Sequence, residues 1–429
     1  MKKSFLLGII ALFAGSVGLA AQDQGAVIKQ LQDEIRSLRK EVDQLKNEPK
    51  KDPLAEDLMG KDMFKAKGLS IGFYGEAKYR FATSGANTLD PHRFVLTPSY
   101  EINDWLIFNS EIEVEHGGVD ESAGRGSRFD GEIELEQMYV DILINDYINI
   151  RSPGVTLIPM GRVNRIHEPT TFYSTERPEL YREIIPSTWM EPTLIGVFGN
   201  ITEELDYYVA ITTGLQDAGE AGTGLGAGAG ITAANGMRNG RPRLRRATGN
   251  ALAYSGRLHY NGVRGLDTSA SFYLTSVRGG LNDSSALFGW DIEALYRVPN
   301  TGLEFRGDFA MWHIEKPHLL LENNDATPTD DIGKRMFGWY LEAAYHLWPQ
   351  AWREGRGSEM DLVPFLRYSH IKTQEGLSPG TPVGAFGKKY LTTGVSWFLN
   401  QNFVVKGDFR RNVATSNNDY YQVGVGMFF

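Results

Sequence analysis

The chain has 429 residues, with 53 acidic against 44 basic side chains, a formal net charge of −9 and no cysteine. The acidic balance argues against a general nucleic-acid partner, and the missing thiols exclude disulfides, a cysteine nucleophile and haem attachment through cysteine. Mean hydropathy is −0.31 although 11% of residues are aromatic and 48 are glycine. No internal apolar run approaches the ~20 residues of a spanning helix, so a membrane crossing here would use strands.

Residues 1–20 read as a secretory signal: Lys2 and Lys3 at the start, an apolar core from Phe5 to Phe13, and small residues at Gly18-Leu19-Ala20. Residues 21–48 hold a heptad run. Ile28, Leu31, Ile35, Leu38, Val42 and Leu45 alternate spacings of three and four with charges between them, which predicts a short periplasmic coiled coil. β-branched residues at a with Leu at d favour two strands, and a coil this short leaves the attached domain to set the oligomer. Residues 49–68 are polar, charged and without period, a linker.

From Leu69 the period changes to two. Ile71, Phe73, Ala77, Tyr79 and Phe81 oppose Glu76, Lys78 and Arg80; Phe94, Leu96, Tyr100 and Ile102 oppose Arg93, Thr97, Ser99 and Glu101; Leu106, Phe108, Ile112 and Val114 oppose Asn109, Glu111, Glu113 and Glu115. The pattern recurs to the last residues, where Tyr421, Val423, Val425, Met427 and Phe429 share one face and Gln422, Gly424 and Gly426 the other. Aromatics such as Tyr79, Tyr100, Trp290, Trp339 and Trp397 fall near strand ends, as in the interfacial girdles of a lipid-facing barrel. Tight turns rich in Asn, Gly and Pro alternate with long connectors, and Asn145–Gly154 and Pro349–Glu359 are longer than tight turns on the short-turn side. The expected fold is all-β: a closed antiparallel transmembrane barrel of about sixteen strands over residues 69–429, wide enough to leave an aqueous channel. The fifth strand is placed at 155–164, with Arg162 on it.

No constellation for an enzyme or a cofactor emerges. His167-Glu168 lacks a second His four residues on, no G-x-S-x-G elbow is present, His313 and His318 fall at a strand end and in a loop, and the Gly222–Gly230 run opens no helix and reads as an external loop. The charged inward face carries the functional expectation. Lys78, Arg80, Arg93, Arg306 and Arg367 are placed on the pore wall among carboxylates that outnumber the cations.

The connector from Arg165 to Pro192 is long and holds Phe172, Tyr173, Leu180, Tyr181, Ile184, Ile185 and Trp189, which need burial. It is expected to fold into the lumen as a constriction. There Arg177 and Arg182, with Arg162 and Arg165 beside them, would meet Glu111 and Glu113 and give a transverse field.

The signal, the heptad segment, Glu136-Gln137-Met138-Tyr139-Val140-Asp141, the stretch Tyr390–Asn400 and the continuation Phe403–Arg411 together resemble the bacterial porin family that includes the phosphate-selective porins O and P. The resemblance implies a trimeric sixteen-strand pore in the outer membrane, surrounded by lipid, passing small anions or solutes. The terminal Phe429 on an amphipathic strand resembles the signal read by the barrel-assembly machinery. The family's phosphate-selective members carry a ladder of arginines, which the carboxylate-rich face here does not repeat. Passive diffusion of small hydrophilic solutes or ions is therefore the leading expectation. An anion-selective channel and a barrel that anchors a coiled coil to the envelope are the alternatives.

Overall fold

The computed structural model describes residues 68–82, 86–118, 131–217, 230–242, 244, 247–249, 251–278, 283–324, 327–414 and 419–429. The signal, the coiled-coil positions Ile28, Leu31, Ile35, Leu38, Val42 and Leu45, the linker up to residue 67, and residues 222–229 of the glycine run lie outside them.

The strands follow one another in a meander: β1 (Leu69–Ala82), β2 (Thr88–Asn103), β3 (Leu106–Glu115), β4 (Ile133–Leu143), β5 (Asn149–Arg151), β6 (Gly154–Leu157), β7 (Met190–Thr202), β8 (Leu205–Thr213), β9 (Leu252–Tyr260), β10 (Leu266–Arg278), β11 (Ser284–Arg297), β12 (Leu303–Ile314), β13 (Arg335–Tyr345), β14 (Asp361–Glu375), β15 (Lys388–Asn400), β16 (Phe403–Asn412) and β17 (Tyr420–Phe428). Every pairing is antiparallel; strands pair with their neighbours in this order except that β4 pairs with both β5 and β6 and β7 with both in turn, and β1 also pairs with β17, from Tyr74 opposite Phe428 to Ala82 opposite Tyr420. The sheet therefore closes on itself and has no free edge, the condition for surviving in hydrocarbon. Because β5 and β6 share one position between β4 and β7, the ring is a closed antiparallel barrel of sixteen strands. Phe429 extends the seam: its N–H donates to Phe73 O at 2.7 Å, Phe73 N–H donates back at 2.8 Å, and the two rings lie 5.1 Å apart.

The split at Ser152-Pro153 corrects the reading of the fifth strand. Pro153 has no N–H to give the ladder, and Ser152 bridges the gap, its N–H donating to Val140 O at 2.8 Å and its Oγ accepting from Val140 N–H at 2.9 Å. The strand therefore begins at Asn149, inside what reads as a connector, and ends at Leu157, before Pro159. Arg162 stands in a helical turn, α1 (Arg162–Arg165), and a second turn, α2 (Leu180–Glu183), follows in the same connector. Gly161 makes the entry to α1: its φ is +75°, and a Cβ there would lie 2.5 Å from the Tyr181 ring.

Side-chain parity follows the sequence period. Phe94, Tyr100, Val209, Tyr254, Leu258, Ile292, Leu341, Val395, Trp397, Tyr421 and Val423 are all exposed on the outer surface. Glu76, Lys78, Arg93, Glu111, Asp291, Glu304, Asp308, Glu342, Arg367, Lys406 and Asp408 alternate with the outer positions and are buried. An exposed apolar band around a closed barrel is the reverse of a water-soluble fold and suits a lipid surround.

Candidate functional site

The burial of the inner charges is the first surprise of the lumen. Strand charges that sequence periodicity assigns to a hydrated face are covered by the connector between β6 and β7, residues 158–189. This segment crosses to the far wall. Its Glu176 pairs with Lys78 at 3.1 Å and Arg80 at 3.0 Å on β1, Tyr173 OH donates to Glu304 at 2.8 Å and Tyr181 OH to Asp308 at 2.6 Å on β12, and Thr175 N–H donates to Asp408 at 2.6 Å on β16. Thr175 Oγ1 donates to Gln422 on β17 at 2.9 Å, and Ser369 on β14 donates to Glu179 at 2.8 Å.

Apolar packing supplies the other half of the attachment. Phe172, Tyr173, Leu180, Tyr181, Ile184, Ile185 and Trp189 are each at most 2% exposed. Six of them join Tyr273, Trp312, Tyr340 and Ile371 of the wall in one hydrophobic cluster, while Tyr173 packs with Phe365 of β14. Trp189 lies 4.6 Å from the Tyr273 ring and 6.0 Å from Trp312, and Trp312 Nε1–H donates to Ile184 O at 2.8 Å. The wall makes room at Gly338, where a Cβ would lie 3.0 Å from both Ile184 and Leu180. A second segment, which the sequence reading left on the outside, joins this core. Ile231, Ala233 and Met237 are fully buried in it, and Met237 N–H donates to Glu183 O at 2.7 Å. Its apolar residues are few and follow a glycine run, so only the apolar needs of residues 172–189 hinted at such a cover.

The cations assigned to the pore are distributed differently from the expected ring. Arg162 pairs with Asp267 on β10 at 3.0 Å, and Arg165 with Glu293 on β11 at 2.5 Å. Arg177 donates to Thr188 Oγ1 within its own connector at 2.8 Å. Arg182, with a side chain 63% exposed, approaches Glu183 at 3.7 Å. Glu111 and Glu113 do not meet Arg182 or Arg162. They belong to a buried knot in which Tyr74 OH donates to Glu111 at 2.6 Å, Arg93 pairs with Glu76 at 2.9 Å and lies 3.8 Å from Glu113, and His167 Nε2 sits 2.8 Å from Tyr74 OH. On the wall, Arg306 pairs with Glu304 at 2.5 Å and Arg367 with Glu342 at 2.6 Å. Lys78, Arg80, Arg93, Arg306 and Arg367 thus each hold a carboxylate.

His167 and Glu176 are among the groups of the inward connector that titrate away from their ordinary range. Burial, reinforced by the Arg177 cation, pushes His167 down to about 3, so the imidazole is neutral at physiological pH. Its Nδ1 lies 3.1 Å from Asn164 O and its Nε2 2.8 Å from Tyr74 OH. Burial opposes ionisation of Glu176, but Lys78, His92 and Arg80 together hold its carboxyl down to about 2.

Chemically, this arrangement offers a wall of paired charges, a dry apolar clamp on one side, and a few charges open to water: Arg182, Arg80, Glu176, Asp267 and Arg162 at 63%, 41%, 33%, 36% and 24% side-chain exposure.

No protein-family model matches the chain. It is 28% identical over 375 residues to an uncharacterized protein of Aquifex aeolicus (strain VF5), across 85% of this chain and 80% of that one. Among solved structures, OmpF of Salmonella typhi, in complex with daunomycin, covers 86% of this chain and 100% of its own at 12% identity and a TM-score of 0.57. The outer membrane channel DcaP of Acinetobacter baumannii covers 87% and 100% at 12% identity with a TM-score of 0.53. A loop-deletion mutant of OmpT, an outer membrane protein of Vibrio cholerae, covers 85% and 100% at 8% identity with a TM-score of 0.51. At such identities the likeness is one of fold.

Proposed function

We propose that the chain is an outer-membrane porin, giving passive diffusion of small hydrophilic solutes or ions through its barrel, with connector 158–189 as the constriction. The observation that carries this reading is the inversion of the fold: apolar side chains on the outer surface of a closed sixteen-strand ring, charges inside, and one long connector clamped across the lumen. The solved channels of the same fold support it, and no catalytic role is assigned to the paired inner charges.

A phosphate-type anion channel has less support, because the wall cations are committed to carboxylates at 2.5–3.1 Å and form no free ladder. Opposed charges at the constriction, where the Arg182 side chain is 63% exposed, fit a modest selectivity. The membrane surround is lipid, and a homo-oligomer, trimeric by resemblance, remains part of the proposal.

Liposome swelling tests the reading. Vesicles carrying the full folded protein should swell with small sugars and polyols and lose that response as solute size rises. Equal impermeability to every solute, with the barrel shown to be folded, would overturn it in favour of an anchoring barrel.

A further inference from the structure

Three carboxylates on β11 and β12 meet where the inward connector docks. Asp291 and Glu293 are two apart on β11 and share its inner face, and register sets Asp308 of β12 directly opposite Glu293. Like charges at directly opposed positions repel, and a sheet register cannot slip to part them without turning every neighbour inside out. The three are 1%, 3% and 3% exposed, so water does not relieve the repulsion. Arg165 is the cation within contact, bound to Glu293 Oε1 at 2.5 Å.

The remaining oxygens decide the matter. Tyr181 OH takes Asp308 Oδ2, and Ser269 also donates to Glu293 Oε1. Both oxygens of Asp291, Glu293 Oε2 and Asp308 Oδ1 have no hydrogen-bond partner. Ser271 and the Gly161 backbone lie near Asp291, yet Ser271 Oγ is itself without a partner. One oxygen from each carboxylate lies within 4.8 Å of the other two, a spacing that a cation bound at ~2.3–2.6 Å from each oxygen spans.

We propose that Asp291, Glu293 and Asp308 form a divalent-cation site of the calcium class. An all-oxygen donor set selects hard cations over zinc or copper. Calcium suits it better than magnesium, because the oxygens are set by strand register and not octahedrally, and magnesium surrenders its waters reluctantly in a dry pocket. The ion would sit beneath Arg165 and Tyr181, which hold two of its carboxylates, and so tie the inward connector to β11 and β12.

The test uses the full chain, folded and extracted in detergent, with calcium and magnesium chloride as probes in calorimetric titration at neutral pH. One equivalent of calcium per chain is expected, bound more tightly than magnesium. Asp291→Asn, an isosteric change, should weaken it by about 100-fold through loss of one ligand charge. Asp283→Asn, at an exposed loop carboxylate, should leave it unchanged. Chelator should lower the unfolding temperature of the wild type and not that of Asp291→Asn. If Asp291→Asn fails to give the heat-modifiable folded form, Asp308→Asn is read the same way. No saturable binding of either ion to the wild type, equal binding by the Asp291 variant, or a chelator-independent unfolding temperature would each overturn the site and leave protonation as the way the cluster lowers its charge.

Discussion

Truncating Trp312 to Ala should loosen the constriction without opening the barrel. Trp312 projects from β12 into the lumen, is fully buried, and touches Trp189 and Tyr273 at ring distances of 6.0 and 5.7 Å. Its indole N–H holds Ile184 O at 2.8 Å. Burying an aromatic of this size removes ~150–250 Å² from water, and deletion to Ala in a packed core costs about 3–5 kcal/mol. The orphaned Ile184 carbonyl adds about 1–3 kcal/mol if water cannot reach it. The loss falls on the contact between connector and wall, because the ladder bonds of β12 to β11 and β13 do not involve the side chain. Trp312→Phe keeps most of the area and loses the bond, an expected cost of about 1–3 kcal/mol from the orphaned Ile184 carbonyl. Liposome swelling with polyols of graded size is the assay, and heat-modifiable migration is the control for barrel assembly. The alanine variant should admit larger solutes than the wild type and the phenylalanine variant should lie near the wild type. An unchanged size limit in a folded Trp312→Ala barrel would refute the clamp.

Arg182→Glu replaces the most exposed connector cation and should shift the reversal potential in a salt gradient towards cations; an unchanged potential would remove Arg182 from the ion path. Val395→Arg, on the outer face of β15, should cost about 2–4 kcal/mol if it lies near the bilayer midplane, read as loss of folded barrel. Lowering the pH should release the connector. Glu176 is held below its unfolded range, so its contribution is present above about pH 4.5 and fades as pH falls towards 2; His167, kept neutral in the fold, adds to the loss as pH falls from about 6.5 to about 3, because there only the unfolded chain takes up its proton. Channel noise or solute limit that stays constant from neutral pH to pH 3 would contradict this. Phe429→Asp should impair assembly while leaving export intact, and normal amounts of heat-modifiable barrel would show that the Phe73–Phe429 contact is dispensable.

The strands were legible because an apolar outer surface and a polar interior impose a strict period of two, visible from Ile71 to Met427. The fifth strand was misplaced because a proline break at Pro153 and a glycine turn at Gly161 interrupt that period over a few residues. The need of Phe172 to Trp189 for burial could be read from their composition. Their partners could not: Tyr181 with Asp308 and Thr175 with Gln422 lie 127 and 247 residues apart, and only barrel closure brings them together. Lumen-facing polarity also misleads about hydration. Ser396 and Thr392 face inward as their parity implies, but they are 0% and 3% exposed, and Ser396 donates to Tyr173 O beneath the connector. Arginine at either should therefore be harmful, against the simple expectation that an inward position tolerates charge. For the same reason Asp291, Glu293 and Asp308 read as ordinary inner charges until register sets them against one another.

Single-channel recording of the purified full chain in a planar bilayer tests the central claim most directly. The porin reading predicts stepwise insertions, each giving a long-lived conductance that rises with salt concentration, and an altered step size in Trp312→Ala. Folded, membrane-inserted protein that carries no current under any salt condition would contradict it.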